Sequence, residues 1–278
     1  MDPDLIKARL WMWGPFILFA LLTAVLILIV MRMNGSASES SGESEGPSLP
    51  REEKTLLETL SEDYLAANGG EETLDSLQSL RFSGTLETGG ASIPYVSIKR
   101  RPNQSHLTLQ FPDYKLSFVV DGESVWQRAS VPGKEPVDSL VEDESVSEIR
   151  RLARFFDPVT SVLLLNEGTV ENVTEGDWKD RPCYVLEFTN RDLDLESTAY
   201  IDPETMHVLA RVDRLGNDSL RTLLFSEYKT IDGFQHAFKT ETYVDDELEN
   251  RVVIESAKHN VGAFSSFFEI PKSPSEER

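Results

Sequence analysis

The chain has 278 residues, 40% of them hydrophobic, and its 27 basic against 48 acidic side chains leave a formal net charge of −21. That balance repels nucleic acid and anionic headgroups at long range, yet it permits an apolar interior, because the acids can occupy the outer surface. The single cysteine, Cys183, excludes an internal disulfide, a cysteine zinc cluster and an N-terminal lipobox, and its strand-like setting, PCYVLEF, reads as a small buried residue.

The first feature in chain order is Trp11 to Met31, WMWGPFILFALLTAVLILIVM, which carries no charge. At about 1.5 Å of rise per helical residue this run spans the roughly 30 Å hydrocarbon core of a bilayer. It is longer than the apolar core of a signal peptide, although Ser36-Ala37-Ser38 offers a cleavage site of small residues. Lys7 and Arg9 precede it and only Arg32 follows closely, which biases the short N-terminal tail, residues 1–10, toward the inside. Trp11 and Trp13 suit the headgroup level. Residues 32–50, rich in serine, glycine and glutamate, form a flexible acidic linker. A globular domain over 51–272 and a short tail, 273–278, complete the predicted organisation.

Arg51 to Asn68 places Leu56, Leu57, Leu60, Tyr64 and Leu65 on one stripe at helical spacing, and Gly69-Gly70 ends that helix. Leu74, Leu77 and Leu80 repeat the pattern in a second short helix. After Leu80 the period changes to two. Leu107, Leu109 and Phe111 alternate with polar residues, and so do Tyr114, Leu116, Phe118 and Val120. Further strands are expected over Arg81 to Glu87, Ile93 to Arg100 and Ser124 to Arg128. The spacing leaves no room for crossover helices, so the sheet is antiparallel. Val131 to Val141 reads as a loop and Glu142 to Phe156 as a helix with Val146, Ile149, Leu152, Ala153 and Phe156 inward. Val159 to Leu165 is the most apolar segment of this part, either a buried helical turn or a flap over a cavity. The second half returns to strands: Thr169 to Thr174, Cys183 to Thr189, Ser197 to Ile201, His207 to Arg214, Leu220 to Tyr228, His236 to Val244 and Arg251 to Val261. Asp202-Pro203-Glu204-Thr205 has the signature of a type I turn, making a hairpin of its flanks.

This order of features, with YLAANGGEETLDSLQSLRFSGTL at Tyr64 to Leu86, TAYIDPETMHVLARVDRL at Thr198 to Leu215 and the closing run from Tyr228 through FFEIP, resembles the LolA/LolB-like lipoprotein-carrier superfamily. The resemblance implies an α+β, mainly β fold: a half-open antiparallel barrel of about 11–12 strands covered by helices, here preceded by the transmembrane helix. It also implies a non-enzymatic binding protein without cofactor, holding lipid or lipoprotein acyl chains in an apolar cavity. The expected wall is Leu107, Leu109, Phe111, Tyr114, Leu116, Phe118 and Val120, with Val162, Leu163, Leu164 and Leu165 as flap. The expected location is the inner membrane, single-pass, with the domain in the periplasm. An envelope protein partner suits the alternative reading, in which the same fold serves as a ligand-free interaction module or stress sensor.

Nothing in the sequence nominates a reaction. The four histidines, His106, His207, His236 and His259, show no metal-ligand spacing, and no phosphate loop, dinucleotide fingerprint or nucleophile elbow is present. Asp192, Asp194 and Glu196 alternate, which fits a solvated acidic edge better than a calcium site.

Overall fold

The computed structural model describes residues 54–269 apart from 123, 142–144, 191–194 and 216–218. The predicted membrane span, the linker and the C-terminal tail lie outside the described residues. Among the described residues no helix is long and apolar enough to cross a membrane.

Helix α1 (Leu56–Ala67) starts at a reciprocal cap. Thr55 Oγ1 accepts from the Glu58 amide at 3.2 Å, and the Glu58 carboxylate accepts from the Thr55 amide at 2.7 Å. Leu60 and Tyr64 are buried on its inner face. Gly69 and Gly70, at φ of 83° and 80°, break the chain into helix α2 (Gly70–Ser76), and Leu74, Leu77 and Leu80 are all buried as their spacing predicts.

The sheet then runs outward through β1 (Ser79–Thr88), β2 (Ala91–Arg100), β3 (Gln104–Gln110), β4 (Lys115–Asp121), β5 (Ser124–Ser130) and β6 (Val137–Leu140). Helices α3 (Ser145–Ala153) and α4 (Pro158–Leu165) follow. The chain returns through β7 (Gly168–Trp178), β8 (Arg181–Asn190), β9 (Leu195–Ile201), β10 (Val208–Arg214), β11 (Leu220–Ile231), β12 (Phe234–Val244) and β13 (Glu247–His259). Across the sheet the order is β6-β5-β4-β3-β2-β1-β13-β12-β11-β10-β9-β8-β7, with antiparallel neighbours throughout. The first and last strands therefore meet in the middle. Both edges, β6 and β7, are consecutive in the chain and are joined by the two helices across the open side. The result is one open 13-stranded sheet, one strand more than the sequence predicts, whose halves face a shared interior.

The additional strand is β6, within the stretch read as a loop. It lies at an edge with all four residues exposed, so no buried face imposes alternation on its sequence. The central closure is tight: the β1–β13 register shifts at Ser83/Gly84, and a Cβ on Gly84 would sit 1.9 Å from the Val253 carbonyl oxygen. The Asp202 turn forms as predicted, its carboxylate accepting from the Glu204 and Thr205 amides at 3.0 and 2.9 Å, with Ile201 paired to Val208.

The core is divided. Leu60 and Tyr64 of α1 pack with Val159, Val162 and Leu163 of α4 on Leu186, Phe188 and Ile201. On the outer face the chain after β13 folds back, burying Phe268 against Val119 and Trp126, with the Arg100 guanidinium 4.8 Å from the Phe268 ring centre. This is why Phe118, Val119 and Val120 are all buried although successive strand residues point to opposite faces.

Candidate functional site: a helix-covered cavity

Alternation puts one row of side chains from each of the central strands, β1 to β4 and β10 to β13, on the concave side, and the connecting helices cover it. The partly open cavity measures about 470 Å³, within the range that houses small organic ligands. Leu80, Phe82 and Leu86 of β1 form one side with Leu107, Leu109, Phe118 and Val120 of β3 and β4. Val208 of β10, Leu223, Phe225 and Tyr228 of β11, and Val252 and Ile254 of β13 form the other. Ile149, Leu152, Phe155, Phe156 and Val159 lie across the top. On β12 the lining runs from Phe234 to Thr242, about 26 Å of strand.

Of the residues nominated from sequence, Leu107, Leu109, Phe118 and Val120 line this cavity. Phe111, Tyr114 and Leu116 belong to the same apolar cluster, next to the β3–β4 turn, where the Phe111 and Tyr114 rings stack at 4.6 Å. Val162 and Leu163 of α4 are buried against α1 and β8, and Leu164 and Leu165 are half-buried beside them. The cavity wall from the second half of the sheet is the part sequence reasoning did not nominate. Its signal is present in Leu223 and Phe225, and in Val252 and Ile254, each two residues apart.

One stretch defeats strict alternation. Val208 and Arg211 both line the cavity although three residues apart, because a bulge between Val208 and Ala210 moves the strand out of phase. The same shift turns Asp213 inward to the centre of an ion network. Arg211 Nε and Nη2 donate to the Asp213 carboxylate at 2.8 and 3.1 Å, and Arg221 Nε and Nη2 donate at 3.1 and 2.9 Å. Ser197 Oγ adds a bond at 2.8 Å. Arg221 also reaches Glu148 at 3.3 Å, and Glu148 forms a two-pronged pair with Arg151, one turn along α3. Burial opposes ionisation of Asp213, but Arg211 and Arg221 outweigh it and hold the carboxyl well below the usual range. Burial likewise opposes ionisation of Glu148, and Arg151 and Arg221 bring its pKa down to about 2. Burial and then Glu148 raise the pKa of Glu249, which lines the same end.

The opposite end is set by register: Lys99 pairs with Leu80 and Leu80 with His259, whereas Arg221 pairs with Val244 at the far end of β12. There His236 and His259 meet at 2.7 Å between their Nε2 atoms, one ring donating and the other accepting, with Phe82 edge-on to His236 at 5.2 Å. Burial, His259 and Lys99 lower the His236 pKa to about 3, so His236 is neutral at physiological pH; burial also lowers the His259 pKa, with Asp232 opposing. Below its ordinary value of 6.5 the unfolded chain takes up a proton that folded His236 refuses, so its contribution to stability is full above pH 6.5 and declines as pH falls from there toward about 3. Urea titrations of wild type and His236→Phe are expected to diverge by up to about 1.4 kcal/mol per pH unit between these limits, the wild type falling faster on acidification. Parallel profiles would show that His236 titrates normally.

Among the described residues no group of three or more histidine, cysteine, aspartate or glutamate side chains is placed to hold a metal ion. Asp192 and Asp194 lie outside the described residues, and Glu196 is exposed beside Arg214 at 3.4 Å. Cys183 is buried, as its setting predicts.

These features define a class, an open antiparallel half-barrel whose concave side is covered by helices over an apolar cavity. The chain has the fold of the LolA superfamily. It is similar to a LolA superfamily protein from Nitrosomonas europaea at 12% identity and a TM-score of 0.50, over 76% of this chain and 97% of that one. It is also similar to MucB, at 15% identity and a TM-score of 0.25, spanning 62% of the MucB chain, and to the MucA/MucB complex of Pseudomonas aeruginosa at a TM-score of 0.23. No protein-family model matches the sequence, and no curated protein sequence matches it.

Proposed function

We propose that the chain is a membrane-tethered binding protein that holds a lipid or lipoprotein acyl chain in the cavity under α3 and the 154–158 segment, without catalysing a reaction. The observation that carries this reading is the predominantly apolar lining, contributed by both halves of the sheet, around about 470 Å³ of open volume. A chain placed there gains about 0.8 kcal/mol per buried methylene, which retains it without any covalent chemistry. The uncharged run Trp11 to Met31 supplies the tether, with the N-terminus inside and the domain in the periplasm. The acidic linker keeps the cavity close to the inner membrane, where ligand can be exchanged with the bilayer or with an envelope protein partner.

Mass spectrometry of lipids retained by residues 51–278 tests the reading. The wild type is expected to carry a stoichiometric acyl-chain lipid, and Val252→Trp, which fills open cavity space from β13, is expected to lose most of it while keeping its thermal midpoint within a few degrees. A wild type that carries no lipid in any preparation would favour the interaction module instead.

A further inference from the structure

The cavity is apolar along its middle, and among the described residues one of the cations that line it has no carboxylate within ion-pair distance. Five lysine or arginine side chains line it, and four are matched to carboxylates: Arg151 to Glu148, Arg154 to Glu167, Arg211 to Asp213, and Arg221 to both Asp213 and Glu148. Lys99 is the exception. Among the described residues its Nζ makes one hydrogen bond, donated at 2.6 Å to the Arg154 carbonyl oxygen, and it has no carboxylate within ion-pair distance. An ammonium carries three donors, so two remain for an occupant of the cavity. Burial, the leading cause, lowers the Lys99 pKa to about 8, Asp157 opposing and Arg151 adding to it, so the group is mostly charged at neutral pH yet poorly compensated. The Lys99 ammonium is half-buried without a counter-ion, and an arriving anion relieves its incomplete solvation while gaining a charge-assisted hydrogen bond.

We infer that the ligand of this cavity is an anionic amphiphile, its carboxylate or phosphate head seated on Lys99 at the His236 end and its chain running along β12 toward Thr242. This rests on the acyl-chain reading above and adds the head group and its direction. The distribution of charge supports the orientation. At the far end Arg151, Arg211 and Arg221 already bond Glu148 and Asp213, and Glu249 stands beside them as a third carboxyl, so an anion would meet acidic groups there and compete with existing ion pairs, whereas Lys99 has no such pair. A neutral head would leave Lys99 as it is.

Photolabelling of the full chain in phosphatidylcholine nanodiscs at neutral pH tests the inference. Three probes are compared, a long-chain fatty acid, the matching alcohol and the matching alkyl phosphate, each with a diazirine in the chain, and labelled peptides are mapped. One or both anionic probes are expected to label peptides of β11, β12 and β13 roughly tenfold more than the alcohol, and the stronger of the two identifies the head. In Lys99→Met, which keeps the apolar stem, labelling by the alcohol is expected to persist while the anionic advantage disappears. Lys99→Gln serves the same purpose if the methionine variant fails to fold. Equal cavity labelling by acid, phosphate and alcohol in the wild type would overturn the head-group inference and leave the acyl-chain reading standing. Absence of cavity labelling by every probe would overturn both, and an anionic advantage that survives both substitutions would remove Lys99 from the site.

Discussion

Asp213→Asn is expected to destabilise the fold by about 3–5 kcal/mol, read as a lower urea midpoint at unchanged slope. The carboxylate is fully buried and accepts five hydrogen bonds, from Arg211, Arg221 and Ser197. Asparagine keeps the shape but removes the charge, so two guanidiniums that are themselves about 5% exposed are left against a neutral amide. The loss measures the exposed imbalance rather than the worth of the pairs. Replacing Arg211, Asp213 and Arg221 together with apolar residues of similar volume is accordingly expected to cost far less than the single change, while Glu148 keeps Arg151. Acid acts in the same direction as the single change. Because the carboxyls of Asp213 and Glu148 are depressed in the folded chain, their contribution is present above the ordinary carboxylate range and is lost as pH falls below about 4. A cost for Asp213→Asn under about 1 kcal/mol would show that water reaches the network.

Gly84→Ala is expected to cost about 3 kcal/mol or more, the upper end for overpacking, because the obstruction is backbone. The added methyl would stand 1.9 Å from the Val253 carbonyl oxygen and 3.0 Å from the Ile254 Cα, atoms that no rotamer change can move. The site lies at the bulge where β1 meets β13, the one seam that joins the outgoing and returning halves of the sheet. Separation of that seam would also displace Val252 and Ile254 from the cavity wall, so ligand retention is expected to fall with stability. Gly262→Ala is the matched control: its nearest neighbour is the Phe264 ring at 3.8 Å, and its midpoint is expected to stay within about 0.5 kcal/mol of wild type. Equal tolerance of both substitutions would mean that the seam has slack.

The sequence revealed those elements whose two faces meet different surroundings. The leucine stripe of α1, the alternating rows of β3 and β4 and the Asp202 turn each carry a local signal, and each forms where that signal places it. Edge strand β6 carries none, since both of its faces meet solvent. The pairing of β1 with β13 joins residues at opposite ends of the domain, and nothing local announces it. Val119 is intelligible only once Phe268 is seen to cover the outer face. At the cavity, a row of apolar residues on β3 and β4 was readable, whereas the facing row on β11 and β13 was equally periodic but had no reason to be preferred. The polar ends were the least legible. Arg211 and Asp213 look like an ordinary exposed pair until a bulge turns them inward, and Lys99 is a common residue in a common strand position until its surroundings are seen.

The open volume between β12 and the α3 cover is expected to hold a ligand, and an electron-density map of residues 51–278 purified from the envelope without detergent would reveal it. The map is expected to show continuous, unbranched density against Phe225, Val252 and Ile254, ending within hydrogen-bonding distance of Lys99 Nζ. A cavity that contains only ordered water, or that is closed by its own rearranged side chains, would contradict that expectation.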